Sequence, residues 1–154
     1  MKKYFLVLFL AACGFSPLYS DKQVDVYVAP ISGTNGIDLR NALNAEFGGG
    51  KDEIAKYKLV IKLDEPTTKY KAIQQTGDAT WQEVQLEATY VLSKDKKEIA
   101  KSREVAAESY TFVRYLVAAN ASYNNAVQNS IKILANKIGT RIIVETSKDE
   151  NKSE

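Results

Sequence analysis

The hydrophobic patterns predict an α+β domain in which two helices pack on one face of a four-stranded mixed sheet, in the chain order β-α-β-β-β-α. Three observations carry this. Two-residue alternation recurs at 24–28, 57–64 and 83–92, three- and four-residue apolar spacing recurs at 39–47 and 127–142, and Pro, Gly or charged turns separate these runs. Two amphipathic helices suffice to cover one face of such a sheet, leaving the other polar.

The first twelve residues stand apart from this pattern. Lys2 and Lys3 precede the apolar run Tyr4 to Leu10, which is followed by Ala11 and Ala12, the arrangement of an export signal. The run is far shorter than the ~20 residues of a spanning helix. Leu10-Ala11-Ala12-Cys13 has the form of a bacterial lipobox, so 1–12 is read as a signal peptide and Cys13 as the acylated first residue of the mature chain. Cys13 is the only cysteine, which excludes an intramolecular disulfide, and acylation removes a thiol that an oxidising compartment would attack. Diacylglycerol with an amide-linked fatty acid anchors far more firmly than one chain, at ~0.8 kcal/mol per buried methylene.

The formal charge of +2 falls to zero without Lys2 and Lys3, and acids and bases are interspersed, which argues against a nucleic-acid binder. Residues 13–22, with Pro17 and Ser20, have no periodicity and read as a lipidated tether. The domain is placed at 23–146, and the charged residues 147–154 as a disordered tail.

Within the domain, Val24, Val26 and Val28 alternate with polar residues as a first strand that Pro30 and Gly33 end. Asn35 or Asp38 caps a helix with Leu39, Ala42, Leu43 and Phe47 on one side, and Gly48-Gly49-Gly50 stops it. Those glycines follow a helix instead of leading from a strand into one, so they do not form a phosphate-binding loop. Tyr57, Leu59, Ile61 and Leu63 mark a second strand that Pro66 closes. The polar stretch from Lys69 to Trp81 fits either a strand or a long hairpin tip. Val84, Leu86, Ala88, Tyr90 and Leu92 form the clearest strand, and a turn at 94–97 leads to a hairpin partner from Ile99 to Phe112 whose weaker pattern fits a bulge. After a loop at 115–119, Asn120 or Ser122 starts a long helix with Val127, Ile131, Leu134, Ile138 and Ile142 in one stripe, interrupted by Gly139 at ~1 kcal/mol.

The chain has no histidine, and its cysteine is committed to lipid, so Cys/His metal sites and Ser-His or Cys-His nucleophiles are excluded. No metal and no cofactor is expected. Glu83 and Glu87 share a strand face, but charges in strand alternation describe a solvated surface, and no enzyme activity is expected. Three other groups stand out. Lys69 and Lys71 flank Tyr70; Lys101 and Arg103, two residues apart, point from one strand face and could hold one phosphate; Lys94, Lys96 and Lys97 crowd a turn, where lysines commonly solubilise. Tyr110, Tyr115 and Tyr123 combine rings with hydrogen-bonding ends, as interface residues do, although rings filling the strand-helix junction would look the same.

Cys13-Gly14-Phe15-Ser16-Pro17-Leu18-Tyr19 resembles the start of the LPS-assembly lipoproteins of the LptE family, in its alphaproteobacterial form Cys-Gly-Phe-x-Pro-Leu-Tyr. The likeness continues more loosely through Asp38 to Leu43, the Ala-x-Tyr-x-Leu strand at 88–92 and the helix at 125–138, where the family's arginine is absent. The resemblance implies an outer-membrane lipoprotein that plugs an LptD-type β-barrel and binds lipopolysaccharide without catalysis. In that setting Lys69, Lys71, Lys101 and Arg103 become candidate lipopolysaccharide contacts, and Tyr110, Tyr115 and Tyr123 candidate barrel contacts. An auxiliary lipoprotein of another lipid transport system, facing the periplasm, is the alternative.

Overall fold

A computed structural model describes residues 24–73, 79–112 and 115–152. The expected signal peptide at 1–12, Cys13 and the expected tether at 13–22 lie outside the described residues. The elements are β1 (Val26–Val28), α1 (Thr34–Glu46), β2 (Tyr57–Leu63), β3 (Thr67–Ile73), β4 (Ala79–Lys94), β5 (Lys97–Thr111) and α2 (Leu116–Asn151). The fold is α+β with a mixed sheet and two helices, as expected.

The sheet has five strands in place of the expected four, because the stretch after Pro66 forms β3. β2 and β3 nevertheless occupy one position across the sheet. Both pair antiparallel with the same edge of β4, Leu63 opposite Ala88 and Thr67 opposite Gln85, so four steps along one side match three along the other. The extra residue falls at 64–66, where Pro66 has no N–H to give. The Asp64 amide still donates to the Glu87 carbonyl at 2.9 Å. β1 joins β2 in parallel through the α1 crossover, and β5 pairs with the other edge of β4.

Two-residue alternation decides the faces. Tyr57, Leu59 and Ile61 of β2 and Val84, Leu86, Ala88, Tyr90 and Leu92 of β4 are buried under the helices, with Leu39, Leu43 and Phe47 of α1 and Ile131, Leu134, Ile138 and Ile142 of α2. Glycine permits close approach at two points. A Cβ on Gly36 would lie 2.8 Å from the Ile31 carbonyl, and one on Gly139 would meet Glu46 at 3.3 Å. The mid-helix glycine of α2 thus marks where α1 presses against it.

The helix ends differ from expectation. α1 begins at Thr34 behind Gly33, which has no side chain to cap it, while Asp38 lies inside the helix and accepts from Gln128 Nε2 of α2 at 2.9 Å. α2 starts at Leu116, earlier than Asn120 or Ser122. It also runs through 147–151, where a disordered tail was expected. Local charge does not melt this segment because distant partners hold it. Asp149 accepts from Lys94 Nζ at 2.7 Å and from the Tyr57 hydroxyl at 3.0 Å, and Glu150 pairs with Lys56 at 2.8 Å. Lys56 and Lys94 also stand over the Tyr57 ring, 5.3 and 5.7 Å from its centroid.

Two predictions follow from this packing. Leu134→Ala, at a side chain with no exposed surface, should lower stability by ~2–5 kcal/mol in urea denaturation, since the fixed sheet cannot collapse into the void. The hydrogen bond from Lys94, ahead of that from Tyr57, holds the Asp149 carboxyl below the ordinary aspartate range. A depressed folded pKa favours the native state wherever the unfolded carboxyl would bind the proton more tightly. Stability from Asp149 is therefore complete above the ordinary aspartate range and is lost as pH falls through the lowered folded value. Melting curves should show the parent above Asp149→Asn at neutral pH and the gap closing in acid; a gap independent of pH would remove Asp149 from this role.

Candidate functional site

The face of the sheet away from the helices carries the odd-numbered side chains of β4, those of β5 from Lys101 to Thr111, and Lys69 of β3; Lys71, at the register irregularity between Tyr70 and Ala72, reaches it by pairing with Glu83. Along β4 these are Glu83, Gln85, Glu87, Thr89 and Val91, and the register sets Lys69 beside Glu83, Arg103 beside Thr89 and Lys101 beside Val91. Lys69, Lys71, Lys101 and Arg103 therefore share one open face. They do not converge. Lys69 is six β4 positions from Arg103, ~20 Å at strand spacing, and the acidic row of β4 runs between the two pairs.

That row already engages three of the four cations. Lys69 Nζ donates to Gln85 Oε1 at 2.6 Å, Lys71 pairs with Glu83 at 3.0 Å, and Arg103 pairs with Glu87. Lys101 is exposed opposite Val91. In both ion pairs the acid is the more buried partner, 18% against 50% for Glu83 and Lys71 and 23% against 63% for Glu87 and Arg103. The charges presented to solvent are thus mainly positive. What the face offers is two cationic pairs, each wide enough for one anionic group, separated by a neutralised strip. Glu83 and Glu87 are each engaged by a cation, and among the described residues no cluster of acids or other ligands could hold a metal ion.

The three tyrosines part company. Tyr110 and Tyr123 meet edge to face, ring centres 6.0 Å apart at 75°, against the margin of the core. The Tyr110 hydroxyl donates to Gln82 Oε1, and burial raises its pKa. Tyr115, at the start of α2, is 82% exposed and is joined by Leu116 at 81% and Val117 at 84%. Trp81, opposite Thr111, Tyr70, opposite Gln82, and Phe112 lie at the same end of the sheet and are also exposed.

Sequence reasoning missed Leu116 and Val117 because they were assigned to a loop. Their apolar character in the first turn of a helix, beyond the last strand that could cover them, was the available signal. The opposite end is where β1 enters, since Val26 pairs with Tyr57 and Tyr57 with Lys94. Thirteen β4 residues, ~44 Å, separate that end from Trp81. Val24, the first described residue, and the exposed apolar groups thus lie at opposite ends of the domain. No helix among the described residues is long and apolar enough to cross a membrane.

If this end is a free surface, Leu116→Ser with Val117→Ser should change unfolding free energy by less than ~0.5 kcal/mol, whereas Tyr123→Ala should cost ~1–3 kcal/mol through the lost ring pair and packing. Chemical denaturation of both variants checks this; a double serine variant as unstable as Tyr123→Ala would show that the apolar end is packed.

No family model and no curated protein matches the chain. Solved structures do match. A Shewanella oneidensis rare lipoprotein B aligns over 86% of this chain and 100% of its own, with a TM-score of 0.61 and 13% identity. A Caulobacter crescentus chain described as a lipoprotein covers 77% and 88% respectively, with a TM-score of 0.62 and 18% identity. A lipoprotein B from Nitrosomonas europaea covers 79% and 83%, with a TM-score of 0.59 and 15% identity. At these identities the likeness is one of fold, and the fold is one that small bacterial lipoproteins use.

Proposed function

We propose that the chain is an outer-membrane lipoprotein that plugs an LptD-type β-barrel and binds lipopolysaccharide without catalysing a reaction. The observation that carries this reading is the coincidence of a lipobox at Leu10 to Cys13, followed by Gly14-Phe15-Ser16-Pro17-Leu18-Tyr19, with a fold shared by small lipoproteins that include a rare lipoprotein B. The polarity of the domain agrees with a plug. Lipid on Cys13 holds one end at the membrane surface, and the exposed Tyr115, Leu116 and Val117 are carried ~44 Å away along β4, far enough to enter a barrel lumen.

Lipid A bears phosphates, and the open sheet face has exposed cations for them. Lys101 with Arg103, and Lys69 with Lys71, are the proposed contacts, because charge-assisted bonds to phosphate are the strong ones. Tyr115 is the proposed barrel contact, together with Leu116 and Val117. Tyr110 and Tyr123 contribute by fixing the helix on which Tyr115 stands.

Purifying the tagged full-length protein from its membranes should bring down a large outer-membrane barrel. Recovery of transport components with no barrel would favour an auxiliary lipoprotein of another lipid pathway. Cys13→Ser should eliminate incorporation of a labelled fatty acid; normal labelling of that variant would sink the lipoprotein assignment. Lipopolysaccharide binding, measured at two salt concentrations, should weaken and lose salt dependence in Lys101→Glu/Arg103→Glu and in Lys69→Glu/Lys71→Glu. If both variants bind as the parent does, the open face is not the lipid site.

A further inference from the structure

β5 is a sheet edge. Among the described residues it pairs with no strand but β4, and it runs fifteen residues, with its one irregularity of register at the turn end, between Leu92 and Ser93 of its partner. Its outward groups can be identified. Lys137 Nζ donates to the Val105 carbonyl at 2.7 Å, so that carbonyl points away from β4. Independently, the Glu87 carbonyl accepts from Asp64 on the β2–β3 side, so Glu87 and Val105, opposite each other, exchange no backbone bonds. By antiparallel alternation the N–H and C=O groups of Lys101, Arg103, Val105, Ala107 and Ser109 all face outward. Among the described residues, no backbone hydrogen bond beyond the β4 pairing involves β5.

Cations stand on either side of this edge, with Glu104 and Glu108 of β5 lying between the edge and the cations on the helix side. Lys101 and Arg103 stand on the open face. On the helix side a groove of about 620 Å³ runs between Glu104 and the α2 residues Lys137, Arg141, Glu145 and Lys148. Its ion pairs, like that of Arg103 with Glu87, keep the acid inside: Glu104 is 18% exposed against 56% for Arg141, and Glu145 28% against 60% for Lys148. Cations on both sides therefore flank a row of outward backbone donors and acceptors that pair with no further strand among the described residues; the Val105 carbonyl in it is held by Lys137 Nζ, an exposed side chain that an added strand would displace. From 105 to 109 the outward-bonding residues are Val, Ala and Ser, small enough for another backbone to approach.

Charges on an edge strand usually discourage pairing. Here they stand to either side of the strand, and the most exposed of them, Lys101, Arg103, Arg141 and Lys148, are positive, which sets which partner is tolerated. We propose that the free edge of β5 docks an extended acidic segment of a partner polypeptide, which adds as a further strand along 101–109 with its carboxylates between the cations of the two sides. This rests on the backbone edge of β5 and the cations beside it; Lys101 and Arg103 are shared with the proposed lipopolysaccharide site, and protection of the outward β5 amides distinguishes the two readings.

The test uses the full-length protein in detergent micelles and synthetic peptides of about ten residues, long enough to span the edge, alternating Thr with Glu or Thr with Lys. The Thr–Glu peptide should slow amide exchange of Lys101, Arg103, Val105, Ala107 and Ser109 by about tenfold or more, and the Thr–Lys peptide should not. Ala107→Pro removes one outward N–H without touching a β4 bond, so it should weaken peptide binding about tenfold at an unchanged melting temperature. If that variant does not fold, Arg141→Gln with Lys148→Gln should weaken binding and reduce its salt dependence. Unchanged exchange at saturating Thr–Glu peptide, equal binding of the basic peptide, or protection of the same amides by self-association alone would each overturn the proposal.

Discussion

β4 bonds along both of its edges, to β2 and β3 on one side and β5 on the other, and among the described residues no other strand does so along comparable length. Its two-residue period therefore governs the molecule. Even positions from Gln82 to Leu92 lie under the helices, and odd positions from Glu83 to Val91 carry the open face. A slip of one residue would turn Glu83 and Glu87 into the core and Val84 and Leu86 into water. Each such exchange would bury an ionised carboxylate and expose an aliphatic side chain, so the register is strongly specified. The long helix depends on this choice, because its apolar stripe packs on this strand and its neighbours as well as on α1.

That same alternation explains what could be read from the chain alone. The period was visible wherever one side of a segment is apolar, as in Tyr57 to Leu63, Val84 to Leu92 and the stripe from Val127 to Ile142. β3 was ambiguous because the sheet end where it lies is poorly covered by helix, so Lys69, Tyr70 and Lys71 need not alternate in polarity. The last turns of α2 were misread for another reason. Ser147 to Asn151 looks like a solvated tail, yet its order comes from Lys94 and Lys56, 55 and 94 residues away in the chain. No local pattern reports such partners.

The site was legible in the same uneven way. Spacing of two placed Lys101 with Arg103 on a common face, which needs only the strand period, whereas Lys71 joins Lys69 across a register irregularity through its pair with Glu83. Whether the two pairs meet depends on the stagger of β3 and β5 along β4, and stagger is fixed by the irregularity near Pro66 and by the hairpin turn. Tyr110, Tyr115 and Tyr123 fall near one another in sequence, but a strand end and a helix start divide them between packing and exposure. Composition identified interface-like residues and could not apportion them.

The ion pairs of the open face bear on how it could work. Pairs in solvent are worth ~0.2–1 kcal/mol each, because water and mobile ions solvate the separated charges almost as well. Lys71 and Arg103 are the exposed members of their pairs, so either can turn to another anion at little cost while Glu83 and Glu87 remain beside their strand neighbours. A phosphate, with more acceptor oxygens than a carboxylate, can compete for such cations. A face built this way holds an anionic ligand by many weak, exchangeable contacts instead of one deep pocket. Rapid exchange suits a protein that passes a lipid onward, since a ligand held by a buried and desolvated pair would leave slowly. If the open face takes such a ligand, as proposed, Glu83 and Glu87 would supply the competing charge that eases its departure.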